Sequence, residues 1–144
     1  MKFMMLMIPE GYGEAGPDAV QDLDPEAVEK MMAYNEELEE AGVLRDLAGL
    51  HPPSTGARVS FEGGEPHVTD GPFAEAKEVV GGYWLIEVGS KEEAVEWAKR
   101  CPASEHETIE IRRVQEVSDY SDEVRDAVES HPDVVAREFG EERE

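Results

Sequence analysis

The residues best suited to chemistry lie in one short loop, Asp70-Gly71-Pro72-Phe73. A carboxylate becomes a stronger general base where burial raises its pKa, and Asp70 is the candidate for this role. The same residue before Gly-Pro also suits a turn, because its side chain can accept hydrogen bonds from the backbone N–H groups that follow. His51 is the partner that we predict for Asp70, since an imidazole transfers protons near neutral pH. A surface histidine ahead of two prolines is the simpler alternative.

Seven residues are candidates for a ligand pocket beside this loop. Lys77 suits an anionic ligand or the loop aspartate, with a solvated lysine as the default. Arg113 is in phase with the apolar residues of its strand, so it either faces inward and binds a carboxylate or marks an exposed strand end. Aromatic side chains suit such a pocket, although core packing explains each of them alone. The candidates are Tyr34, Gly71, Pro72, Phe73, Lys77, Tyr83 and Arg113.

Other kinds of site are not indicated. No two histidines and no cysteine–histidine set have metal-ligand spacing, so we predict no metal. The sequence has no Gly-rich phosphate loop, nucleophile elbow or nucleotide fingerprint, and we expect no cofactor. The net charge of −22, from 35 acidic and 13 basic residues, disfavours nucleic acids and anionic membranes as partners. That charge is explained either by solubility or by adaptation to a high-salt cytoplasm, and both interpretations stay open.

The length and composition point to a cytoplasmic protein with one folded domain. A chain of 144 residues suits a single core, and no apolar run reaches the length of a membrane span. The single cysteine, Cys101, excludes an intramolecular disulfide, and we interpret it as a small buried hydrophobe. The composition becomes charged and poor in large apolar residues after residue 115. We predict a domain over 1–115 and an acidic, partly helical tail over 116–144.

The hydrophobic pattern predicts alternating strands and helices. The first strand is apolar on both faces, and the first helix begins at a good N-cap, Asp24, and ends at Gly42. A hairpin turns at Gly63-Gly64, and the most hydrophobic strand follows the Asp70 loop. The predicted strands are 2–8, 43–50, 57–61, 66–69, 79–88 and 107–114, with helices at about 24–42 and 90–101 and short helices in the tail.

This order predicts an α+β fold with a ferredoxin-like antiparallel sheet and two helices on one face. Two helices cover only one face of a sheet, whereas the first and central strands are apolar on both. A second copy of the sheet is the simplest cover, because monomers avoid large exposed apolar patches. We therefore predict a homodimer whose sheets pack face to face.

The stretch Val68–Glu78, followed by Gly81–Trp84, resembles the signature of DGPF-domain proteins within the YCII-related family. The first strand, Ala41-Gly42-Val43 and Gly49–Pro53 extend the resemblance over about residues 1–115. The resemblance implies a dimeric α+β barrel, and most members have no assigned reaction. The wider group is proposed to use a His–Asp pair whose histidine lies on the first helix. Here that helix offers Tyr34 and Asn35, so the pair is not carried over.

Three functions remain open, and the sequence does not decide whether the chain is an enzyme. The first is a cofactor-free isomerase or lyase that uses Asp70, with His51, on a small organic acid or aromatic compound. The second is a non-catalytic small-molecule sensor in a sigma-factor-linked pathway, which the resemblance implies. The third is a protein-interaction module that uses the acidic tail.

Overall fold

The computed structural model describes residues 1–73 and 78–139. The fold is α+β, with a four-stranded antiparallel sheet in the strand order β2-β5-β1-β6, compatible with a ferredoxin-like fold. Among the described helices, none is long and apolar enough to cross a bilayer. The strands are β1 (Lys2–Ile8), β2 (Leu44–Gly49), β3 (Ala57–Glu62), β4 (Glu65–Asp70), β5 (Gly82–Glu87) and β6 (Thr108–Arg113), and the helices are α1 (Pro25–Glu40), α2 (Lys91–Lys99), α3 (Asp122–Glu129) and α4 (Pro132–Glu138).

The side chains on one face of the four-stranded sheet are buried far more completely than those on the other face. Along β1, Phe3, Met5 and Met7 are buried, and in β5 they meet buried residues such as Trp84. These residues form one core with the buried residues of α1 and α2. The alternate side chains point to what we call the second face. That face carries five large half-buried side chains, Met4, Leu6, Ile8, Tyr83 and Leu85.

Helix α1 begins and ends where the sequence predicts. The Asp24 side chain accepts a hydrogen bond from the Glu26 backbone N–H at 3.3 Å, and Gly42 adopts the left-handed conformation that ends the helix. The apolar residues of α1 are not all in the core, because Val28 and Met32 are 41% and 53% exposed. The buried side chains of α1 are those of Tyr34, Asn35 and Leu38. The first turns of α1 border a pocket rather than packed core, which leaves Val28 uncovered.

The predicted hairpin is confirmed as β3 and β4, joined through Gly63 and Gly64 in left-handed conformations. It forms a two-stranded sheet of its own. All of its residues are exposed, and Phe61 is 77% exposed. An isolated hairpin has little stability of its own. Its ends are held by the loops described below.

The tail contains the predicted helices. Ser121 caps α3 by accepting a hydrogen bond from the Val124 N–H at 3.3 Å. The rings of Tyr120 and Phe139 meet edge to face, with their centroids 6.0 Å apart. Residues 140–144 lie outside the described chain. The predicted domain boundary at 115/116 stays a prediction.

Cys101 gives a first testable prediction. Its Sγ lies 3.9 Å from the Met31 Sδ, and burial, with a smaller effect of the Glu107 carboxylate, raises the pKa of the Cys101 thiol to about 11. Only the thiolate reacts, so alkylation by iodoacetamide at pH 7.5 should be about one hundredfold slower in the folded chain than in urea. The folded rate should rise with pH toward a midpoint near 11. Equal rates in the two states would contradict this prediction.

Candidate functional site

The Asp70 loop packs against the short 3-10 turn that follows β2. The Gly71 N–H donates to the Gly56 carbonyl oxygen at 2.9 Å. A Cβ on Gly71 would lie 1.7 Å from the Pro53 carbonyl oxygen, so only a glycine fits there. The peptide bond between Gly71 and Pro72 is cis, and Pro72 is exposed. The structure thus brings the predicted loop against the segment that follows His51.

Neither predicted catalytic residue is buried. Asp70 ends β4 opposite Ala57 and is exposed, and His51 is exposed as well. Burial would strengthen a carboxylate as a general base, and Asp70 is exposed within the described chain. Phe73 is half-buried beneath the Arg58 guanidinium, whose carbon lies 4.0 Å from the ring centroid. The catalytic roles of Asp70 and His51 stay predictions.

Two predicted pocket residues have structural partners elsewhere. Tyr34 is buried, and its hydroxyl donates to the Trp97 carbonyl oxygen of α2 at 2.7 Å; burial raises the pKa of Tyr34 above its usual value. Arg113 is exposed at the end of β6, and its Nη2 lies 3.4 Å from the Asp119 Oδ1 in the tail. These contacts tie α1 to α2 and the tail to the sheet. Lys77 lies outside the described residues.

A pocket of about 390 Å³ lies between α1 and the sheet. Met7 of β1, Leu47 of β2 and Trp84 of β5 line it from the sheet, and Val28 and Met31 line it from the helix. Most of its lining is apolar, as is usual for small-molecule sites.

Of the predicted site residues that the structure describes, Tyr83 alone is among the lining residues, although its side chain alternates to the second face of the sheet. Its hydroxyl donates to the Asp46 Oδ2 at 3.1 Å, and this hydrogen bond raises the pKa of Tyr83.

One buried polar side chain, Asn35, lies in the pocket wall. It is 7% exposed, and its Oδ1 accepts a hydrogen bond from the Trp84 Nε1–H at 2.8 Å. Its Nδ2 lies 3.5 Å from the Met32 Sδ. A buried amide keeps such partners because an unpaired polar group is costly in an apolar setting.

The charged groups of the pocket are carboxylates. Asp24 caps α1, and the Glu107 Oε1 accepts a hydrogen bond from the Ser104 N–H at 2.6 Å. The lining residues within the described chain include no lysine, arginine or histidine. Over residues 1–73 and 78–139, no group of three His, Cys, Asp or Glu side chains is placed to hold a metal ion.

Comparison with known protein families identifies a domain that covers most of the chain. The YCII-related domain matches residues 1–118. The chain belongs to the YCII-related family. An uncharacterized protein of Rhizobium meliloti (strain 1021) is 37% identical to this YCII-related chain over 76 residues, which cover 53% of the chain and 61% of the relative. The chain therefore matches about three fifths of the length of that relative, whose name assigns no activity.

Sequence reasoning about this YCII-related protein missed the pocket itself. Asn35 entered that reasoning only as a residue of the first helix where the wider group has its histidine. Trp84 was considered as an aromatic that could line a pocket, with core packing as its simpler role, and it does line this one. The available signal was a single amide within an otherwise apolar helix face. The two residues are 49 positions apart, so nothing local in the sequence indicates their hydrogen bond.

Proposed function

We propose that this YCII-related protein binds a small, largely apolar molecule in the pocket between α1 and the sheet. The observation that carries the proposal is a buried polar group, Asn35, in the wall of an apolar cavity of about 390 Å³. This favours the binding function over the isomerase or lyase. The two carboxylates that line the pocket, Asp24 and Glu107, already accept hydrogen bonds from backbone N–H groups, and Asp70 is not among the lining residues described.

A pair of variants on one helix tests this site. Ala27 lines the pocket, and Ala33 is an exposed residue of α1 outside the lining. Ala27→Phe should fill the mouth of the pocket and lower the affinity of bound compounds at least about tenfold, the cost of losing one well-packed apolar contact. Ala33→Phe should leave the affinity unchanged. The measurement is a ligand-observed NMR screen of uncharged and charged small aromatic compounds, with native mass spectrometry of the purified protein to detect a retained molecule.

Equal weakening by both variants would place the binding elsewhere on the chain. A screen in which no compound binds to the wild-type protein would contradict the proposal.

We also propose that the protein is a homodimer that packs its second faces together, as in a dimeric α+β barrel. The five large side chains of the second face support this, because a second copy would cover them. A cytoplasmic location is part of the same proposal, supported by the single cysteine.

A further inference from the structure

We infer that this pocket selects uncharged ligands that present a hydrogen-bond acceptor, such as the carbonyl of a ketone, ester or amide, to the Asn35 Nδ2. The inference rests on the proposed function and adds the chemical class of the ligand. It also replaces the small organic acid of the sequence-based prediction with a neutral compound.

The orientation of the Asn35 amide is set by its neighbour. An indole N–H can only donate, so the atom of Asn35 that lies 2.8 Å from the Trp84 Nε1 must be the carbonyl oxygen. The amide nitrogen is therefore held on the other side as a donor. Trp84 is itself held in place, because the Tyr34 ring packs edge to face against it at a centroid distance of 5.8 Å. The donor is thus arranged before any ligand arrives.

The Asn35 amide nitrogen has only a weak hydrogen-bond partner within the described chain. It carries two hydrogens, and its partner in the described chain is a thioether, the Met32 Sδ at 3.5 Å. Sulfur of this kind is a weak acceptor, and one sulfur accounts for only one of the two hydrogens. Asn35 is 7% exposed and lines the pocket, and the described chain offers its second amide hydrogen no acceptor. A ligand carbonyl would supply the missing acceptor inside an otherwise apolar cavity.

The carboxylates that line the pocket disfavour anionic ligands. Asp24 and Glu107 both line the pocket, and no lysine, arginine or histidine of the described chain lines it with them. An anionic ligand would lose its hydration and meet two carboxylates without a cation to pair with. A neutral carbonyl compound meets no such penalty.

Three probes with the same phenyl body separate these effects: ethylbenzene, acetophenone and benzoate. Ligand-observed NMR titration of the full-length protein should give the order acetophenone, ethylbenzene, benzoate, from tightest to weakest. The preference for acetophenone over ethylbenzene should be about five- to tenfold, the size of one net hydrogen bond. Benzoate binding more tightly than acetophenone would overturn the inference.

Two variants assign that preference to the amide. The double variant Asn35→Leu with Trp84→Phe removes both polar partners at once, so that neither is left buried without a hydrogen-bond partner. It should still bind ethylbenzene but bind acetophenone no better. The single variant Trp84→Phe keeps the amide but frees its orientation, so the acetophenone preference should shrink at least about twofold, since one net hydrogen bond is worth only about five- to tenfold.

The outcomes separate the two proposals. An unchanged acetophenone preference in the double variant would overturn the inference and leave the pocket as a binding site. Binding of none of the three probes to the wild-type protein would overturn the proposed function together with the inference.

Discussion

The variant Leu6→Lys is expected to have the 16.0 kDa mass of one chain in light scattering, whereas the wild-type protein is expected at twice that mass. Leu6 lies in the central part of the second face, between Tyr83 of β5 and Glu110 of β6. A lysine at this position has Glu110 opposite it, so the single chain retains a partner for the new charge. In a face-to-face dimer, two such charges would lose their hydration. Their desolvation costs several kcal/mol, enough to weaken association by more than about one hundredfold.

Two matched variants on two other exposed apolar surfaces serve as controls. Phe61→Lys changes the hairpin, where the side chain is 77% exposed, and Val124→Lys changes α3 in the tail, where it is 47% exposed. Both variants should remain dimeric if the second face is the interface. A monomer produced by either control, with Leu6→Lys still dimeric, would move the interface to that surface. A monomeric wild-type protein would contradict the dimer itself.

The variant Gly71→Ala is expected to be less stable than the wild-type protein by about 1–3 kcal/mol, the usual cost of overpacking. The added Cβ would lie 1.7 Å from the Pro53 carbonyl oxygen and 2.7 Å from its carbon. Both are backbone atoms, so the strain cannot be relieved by turning a side chain. The Asp70 loop and the turn must separate, with loss of the hydrogen bond from the Gly71 N–H to Gly56. Urea denaturation followed by circular dichroism measures the change.

Gly56→Ala is the matched control, because its Cβ would lie 3.7 Å from the same Pro53 oxygen, an ordinary van der Waals distance. It should change the free energy of unfolding by less than about 0.5 kcal/mol. Equal stabilities of Gly71→Ala and Gly56→Ala would show that the loop does not depend on this contact. A large difference would assign Gly71 of the DGPF segment a structural role.

The signals that the sequence carried correctly are local ones. The start of α1 at Asp24, its end at Gly42 and the hairpin turn at Gly63-Gly64 depend on residues within four positions of one another. Capping and left-handed turns are decided by backbone geometry and by one or two side chains, so a single sequence contains enough information to predict them.

The candidate site was predicted less well, for a physical reason. Within the motif that stands out in the sequence, Asp70-Gly71-Pro72-Phe73, the close packing of Gly71 against the Pro53 backbone requires a glycine. The pocket is built from ordinary apolar residues of separate elements, with one amide among them. Unremarkable residue types give no signal until the fold brings them together.

By itself, the sequence determined the α+β order of elements, the two-sided apolar character of β1 and the strongly acidic surface, because periodicity and composition are properties of the chain. The tertiary structure alone decided which buried polar group meets which partner. Trp84 reaches Asn35 across 49 residues, and the Tyr34 hydroxyl reaches the Trp97 carbonyl across 63. Such contacts depend on the distance between packed elements, and that distance is set by the whole core rather than by any segment.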